Sequence, residues 1–147
     1  MAWQAYDNYK LKLFNQVDAI DHDDAGTTIK IALLTNVHTI DLVNDDFWAD
    51  VVAEEVSGTN YTTLGNVIST KTLGVAGNVI TWDADDPATW AQSGAGFSNA
   101  RYAVLFKDTG VAATSPLIAI HDFTTDQGNV AGDLTIQLDA LGILTLA

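Results

Sequence analysis

Apolar and polar residues alternate along much of this chain with a period of two, which is the pattern of β-strands that bury one face. The cleanest alternation covers residues 134–138. Its core side would be formed by Leu134, Ile136 and Leu138. Residues 101–107 have charged ends around an apolar middle, and residues 28–35 are β-rich and largely apolar, as a buried strand would be. Four more segments predict strands: 67–73, 79–82, 117–123 and 143–146.

The N-terminal segment has the spacing of a helix instead. Apolar side chains recur there at steps of three and four, at Tyr6, Tyr9, Leu13, Val17 and Ile20. This spacing predicts a helix over residues 4–18, although residues 10–14 could alternatively alternate as a strand. A second, short helix is predicted at residues 45–52, where Phe47 and Val51 share a face and should point inward.

Turn-forming residues separate the predicted strands at short intervals. Gly77 and Asn78 predict a hairpin between residues 67–73 and 79–82, and residues 124–128 predict another turn. Such intervals are too short for repeated crossover helices, which disfavours a parallel α/β sheet. About seven strands at this spacing predict a mainly β fold, either an antiparallel β-sandwich or a Greek-key or jelly-roll barrel, with an N-terminal helix and one short helix.

The composition is that of a folded domain, because 48% of the residues are hydrophobic and only 17% are charged. We expect residues 1–147 to form a single β domain, in which residues 1–20 form an N-terminal arm or helix. No apolar run is long enough for a transmembrane helix, and the first residues do not resemble a secretory signal. We therefore expect synthesis in the cytoplasm. The chain has no cysteine, which excludes disulfides and thiolate chemistry.

The charge is strongly acidic, with a formal net charge of −13 from 19 acidic and 6 basic residues. A field of this sign repels a phosphate backbone, so we expect no nucleic-acid partner. Solubility alone would account for the charge. The sharper interpretation is a fit to a basic partner surface.

No group of residues predicts catalysis or a bound cofactor. The histidines at 22, 38 and 121 are not at metal-ligand spacing from one another, and no serine lies in a nucleophile-elbow motif. Two acidic loops, at residues 21–24 and 83–86, would each need carbonyls or another loop to complete a calcium shell, and they are expected to be turns with solvated carboxylates. We therefore predict no catalytic residues, no metal site and no cofactor.

The four tryptophans are candidates for either the core or an interface. Trp3 falls in the terminal segment and Trp90 in a predicted loop, whereas Tyr6 lies beside Trp3. We predict that Trp3, Tyr6 and Trp90 contact a neighbouring subunit.

Several segments resemble a group of small virion structural proteins of tailed bacteriophages. The similar segments are residues 29–35, 48–51, 55–61, 101–110, 115–118, 132–139 and 142–146. The resemblance extends over residues 5–146 and consists of strands and turns without a reactive residue. It implies a particle component rather than an enzyme.

Within that group, the chain is similar to capsid cement or decoration proteins. This resemblance implies that the chain binds the major capsid protein and copies of itself, as a dimer or trimer, in the virion. The alternative is a tail, neck or fibre component. A fibre domain could bind host carbohydrate through Trp82 and Trp90 beside residues 83–86.

Overall fold

A computed structural model describes residues 2–147 and is mainly β, with 33% strand and 13% helix. It contains two antiparallel sheets and two helices, which confirms the predicted fold class. A five-stranded sheet has the order β1-β7-β6-β2-β3, and a three-stranded sheet has the order β4-β5-β8. The strands are β1 (Gln4–Ala5), β2 (Ile29–Thr35), β3 (Asn66–Val67), β4 (Thr72–Ala76), β5 (Val79–Asp83), β6 (Ala100–Lys107), β7 (Leu117–Gln127) and β8 (Leu144–Leu146).

The large sheet forms the core, because its central strands are apolar on both faces. The stretches 103–106 and 117–120 are completely buried, as continuous hydrophobic strands should be. The short helix α2 (Trp48–Val51) covers one face and stacks Trp48 on Phe106, with ring centroids 4.5 Å apart. A 3-10 turn (Val52–Glu54) follows it. Val51 points inward as predicted, whereas Phe47 is only half-buried.

Helix α1 (Asp7–Asn15) is shorter than predicted, and it packs on the protein chiefly through Tyr9 and Lys12. Tyr6 and Tyr9 are buried, but Leu13 and Val17 are exposed. The helix ends because Gln16 adopts a left-handed conformation with φ 59°. Residues 10–14 are therefore helical, and the alternative strand prediction was wrong. In front of the helix, β1 pairs with β7 at the edge of the large sheet.

The predicted hairpin at Gly77 and Asn78 is confirmed. Both residues have positive φ, 57° and 66°, and they connect β4 to β5 with Ala76 opposite Val79. The single strand predicted over residues 67–73 was wrong, because the chain changes sheets within it. Val67 pairs in the large sheet and Leu73 in the small one.

Two further differences lie near the C-terminus. Residues 124–127 belong to β7 and do not form the predicted turn. The register between β6 and β7 shifts there, and Thr124, whose φ is 69°, lies in the resulting bulge. Residues 134–138 do not form a strand, since Leu134 makes only an isolated bridge with Trp90. The alternation still predicts burial correctly there: Leu134 and Ile136 are buried.

Candidate binding groove between helix α1 and the small sheet

The small sheet has one apolar face that the rest of the protein covers only in part. Pairing of β4 with β5, and of β5 with β8, places six apolar side chains on this face. They are Leu73, Val75, Ile80, Trp82, Leu144 and Leu146. Trp82 is buried beneath α1, whereas Val75 is 74% exposed.

Helix α1 forms the opposite wall and leaves a groove of about 370 Å³. Leu13 and Phe14 line this wall, and Phe14 is 80% exposed. Apolar side chains from two elements therefore face a common opening and are not covered by another part of the described chain. Contiguous exposed apolar surface of this kind is typical of an interaction site.

Strand β4 is an edge strand, and it borders the groove. It pairs with β5 on one side only, and all five of its residues are exposed. Its sequence contains no charged residue and no proline, which are the usual protections of an edge strand. Its outer backbone groups are consequently available to pair with another strand.

His22 connects the floor of the groove to the acidic loop 21–24. Its Nε2 lies 2.8 Å from the Tyr9 hydroxyl, and its backbone carbonyl accepts a hydrogen bond from Trp82 Nε1 at 3.3 Å. Burial lowers the pKa of His22, against the opposing effects of a hydrogen bond to the Ile20 backbone and of the Asp21 and Asp23 charges. The neutral imidazole can donate from Nδ1 to Ile20 and accept from Tyr9.

Asp21 and Asp23, on either side of His22, differ from every other carboxylate in the described part of the chain. Each of the others forms at least one hydrogen bond or ion pair, whereas these two form neither and interact only through their charge with His22. Both are exposed. Their charge therefore faces solvent at the His22 end of the groove.

Two buried polar clusters lie outside the groove and have structural roles. Glu55 Oε1 accepts hydrogen bonds from the Tyr61 hydroxyl at 2.9 Å and from Leu64 N at 2.5 Å, and burial raises the pKa of Glu55. His38 Nδ1 lies 2.6 Å from Glu54 Oε2, and its Nε2 lies 3.9 Å from Asp45 Oδ2. Burial also raises the pKa of Asp45. The His38 cluster joins the segment after β2 to the turn that follows α2, and the Glu55 cluster joins that turn to residues 61–64.

The three residues predicted to contact a neighbouring subunit, Trp3, Tyr6 and Trp90, are buried or half-buried in the structure. Tyr6 and Trp90 are 0% and 2% exposed, so their rings belong to the core and cannot touch a second molecule. Trp3 is half-buried and lies 5.7 Å from the ring of His121. His121 Nδ1 donates to the Ala2 carbonyl at 2.6 Å, which fastens this segment to β7. Contact between Trp3 and a neighbour stays a prediction.

Four of the six carboxylates in the acidic loops 21–24 and 83–86 form hydrogen bonds within the protein. Asp24 accepts from Thr27 and so stabilises its own turn, whereas Asp85 accepts from Thr70 and Asp86 from Leu138 N at 2.7 Å, which joins loop 83–86 to separate segments. Among residues 2–147, three or more potential metal ligands do not come together. Within the same residues, no helix is long and apolar enough to cross a membrane.

Sequence reasoning missed the groove. The signals were present: an uncharged stretch at residues 72–76, and an apolar cluster at residues 11–14 that is wider than one helical face. Neither signal specifies that α1 and the small sheet lie side by side, because that proximity arises from tertiary packing.

No protein-family model, no curated protein and no solved structure matches this chain.

Proposed function

We propose that this chain is a structural protein of a bacteriophage virion, a capsid cement or decoration protein that binds the head shell and stabilises it. The observation that carries the proposal is the open apolar groove beside the free edge of β4. The resemblance to tailed-phage virion proteins over residues 5–146 supports the assignment to a particle. On this proposal the chain acts by binding and has no catalytic role.

The groove suits a protein that works in many copies. Its apolar residues and unpaired backbone can bury surface on the major capsid protein. Individually modest contacts then add up when several copies bind one shell, and association of the copies as dimers or trimers would strengthen the effect. The site of action would be the virion.

A tail or neck position is the second candidate, since the same groove could dock on those structures. The carbohydrate-binding form of this hypothesis is not supported. It required exposed aromatic rings at Trp82 and Trp90, and these are 3% and 2% exposed. Buried indoles cannot stack on a sugar.

The test is the copy number of this chain in purified particles, measured by quantitative mass spectrometry against the major capsid protein. A cement protein should be present in equal number to the shell subunits, or in a fixed simple fraction of it. A few copies per particle would favour the tail or neck. Absence from purified particles would overturn the virion assignment.

A further inference from the structure

We propose that the groove binds an extended, basic segment of the shell protein, which adds to the small sheet as a fourth strand next to β4. This inference rests on the proposed function for the identity of the partner. The chemistry of the occupant follows from the groove itself.

The free edge of β4 specifies an extended backbone. A strand that pairs there continues the ladder β4-β5-β8 and satisfies the outward N–H and C=O groups of Thr72–Ala76. Alternate side chains of the added strand would then lie on the same face as Leu73 and Val75. That face opens towards Phe14, so apolar side chains at these alternate positions would fill the groove.

The charges of the protein specify a basic segment. All six basic side chains are already engaged internally. Lys10, Lys12, Lys30 and Arg101 form ion pairs with Asp7, Asp46, Asp108 and Asp122, and Lys71 and Lys107 donate to backbone carbonyls.

The two carboxylates without a hydrogen bond or ion pair lie beside the groove, next in sequence to His22, and not in its lining. Asp21 and Asp23 flank His22, which lines the groove, and Asp23 lines a neighbouring cavity together with Lys71, the residue before β4. A lysine or arginine at one end of the added strand would meet these two carboxylates.

The negative charge of the chain also disfavours a second copy of it as the occupant. Each copy carries a formal charge of −13, β4 has no basic residue, and Lys71 next to it already donates to the Thr27 carbonyl. Pairing of two β4 strands would therefore leave both carboxylates without a counter-charge. Charge complementarity selects a partner of opposite sign.

The first experiment measures binding of a fluorescent synthetic peptide, in which lysine and valine alternate, to the full chain by anisotropy. A peptide in which glutamate replaces lysine is the control. The basic peptide should bind, with an affinity that falls as salt is raised, and the acidic peptide should not. Equal binding of the two peptides, or binding of neither, would overturn the inference.

A matched pair of variants locates the binding. Val75 and Val37 are 74% and 73% exposed, but only Val75 lies on the apolar face of the small sheet. Val75→Lys should weaken binding of the basic peptide by about tenfold or more, because an apolar contact is lost and a repelling charge is added. Val37→Lys should bind like the unchanged protein. Equal loss in both variants would place the peptide elsewhere.

The carboxylates are tested with two double variants of equal charge change. Asp21→Asn with Asp23→Asn should weaken binding and flatten its dependence on salt. Asp126→Asn with Asp133→Asn removes the same charge at a distance from the groove, and asparagine can still accept the hydrogen bonds from Asn36 and Gln92. If both double variants lose affinity equally, only net charge matters and the specific site is wrong.

Co-sedimentation with purified shells separates this inference from the proposed function. If the unchanged chain binds shells and the Val75→Lys variant does not, the cement role and the groove inference are both supported. If both bind shells equally, the cement role stands and the groove inference fails. If the chain binds the basic peptide but never a shell, the groove chemistry stands and the cement role fails. A dimer in sedimentation velocity that only Val75→Lys dissociates would identify a second copy as the occupant and overturn the inference.

Discussion

The imidazole of His22 stands edge-on to the indole of Trp82, with ring centroids 5.0 Å apart and planes at 74°. The same histidine meets Tyr9 of α1, so one side chain joins the helix, the acidic loop and the small sheet. The floor of the groove therefore depends on a titratable residue whose pKa is lowered by burial.

Acidification should destabilise the protein through His22. Its folded-state pKa lies below the unfolded value of about 6.5, so the unfolded chain binds a proton first as pH falls. Stability should therefore be highest above that value and decline below it, by at most about 1.4 kcal/mol per pH unit for one proton. Urea unfolding between neutral and mildly acidic pH measures this dependence.

His22→Phe provides the comparison for that prediction. The variant keeps an aromatic ring against Trp82 and cannot be protonated, and His38 and His121 are present in both proteins. The difference in free energy of unfolding between the two proteins should change as pH falls. A constant difference across this range would show that His22 does not contribute to the pH dependence.

Replacing Glu55 by glutamine should leave stability nearly unchanged, whereas replacing it by alanine should lower stability. In Glu55→Gln the side-chain oxygen can still accept from the Tyr61 hydroxyl and Leu64 N, and the cost of a buried charge disappears. We expect little change in stability at neutral pH. Glu55→Ala leaves both donors without an acceptor and should cost about 1–3 kcal/mol.

The pH dependence of Glu55 has the opposite sign to that of His22. Burial raises the folded-state pKa, so the contribution of Glu55 is fully present below its unfolded pKa and is lost as pH rises through the folded value. Glu55→Gln removes this contribution, so its stability relative to the unchanged protein should improve as pH rises through that window. Chemical denaturation of both proteins at several acidic pH values would reveal the difference, and parallel curves would contradict the prediction.

The sequence predicted completely buried strands well. It predicted poorly those segments whose pairing with another strand depends on tertiary contacts. Residues 101–107 are apolar enough to specify a central strand, and Gly77 with Asn78 specifies a turn by conformation alone. Residues 134–138 have an equally clear alternation, but Leu134 meets only Trp90, so no ladder forms. Periodicity indicates which side is buried, and it cannot supply a partner strand.

Trp90 and Trp3 should respond differently to truncation. Trp90→Ala removes a buried indole that lies 6.3 Å from the ring of Tyr61, and it should cost about 3–5 kcal/mol. Trp3→Ala affects a half-buried ring at the edge of the large sheet and should cost less than about 2 kcal/mol. Thermal or urea unfolding distinguishes them. Similar small losses in both variants would return Trp90 to the candidate contact residues.

The buried side chain of Asn129 forms hydrogen bonds to three other loop segments, so its replacement tests how much these bonds stabilise the loops. Its Oδ1 accepts from Phe97 N at 2.9 Å, and its Nδ2 donates to the carbonyls of Ala91 at 2.9 Å and Thr59 at 3.1 Å. The side chain is 0% exposed. A lone asparagine in a loop carries no sequence signal, so this role became visible only in the structure.

Replacing Asn129 by alanine should cost about 3 kcal/mol or more, because one N–H and two carbonyls lose their buried partner. Asn129→Asp keeps the acceptor but turns a second oxygen towards two carbonyl oxygens. It should therefore be destabilised at neutral pH and recover in part when acid protonates it. Asn36→Ala, at an exposed asparagine that bonds Asp126, is the control and should cost less than about 1 kcal/mol. Equal urea midpoints for the alanine variants at 129 and 36 would mean that the three loops are held by their backbone contacts alone.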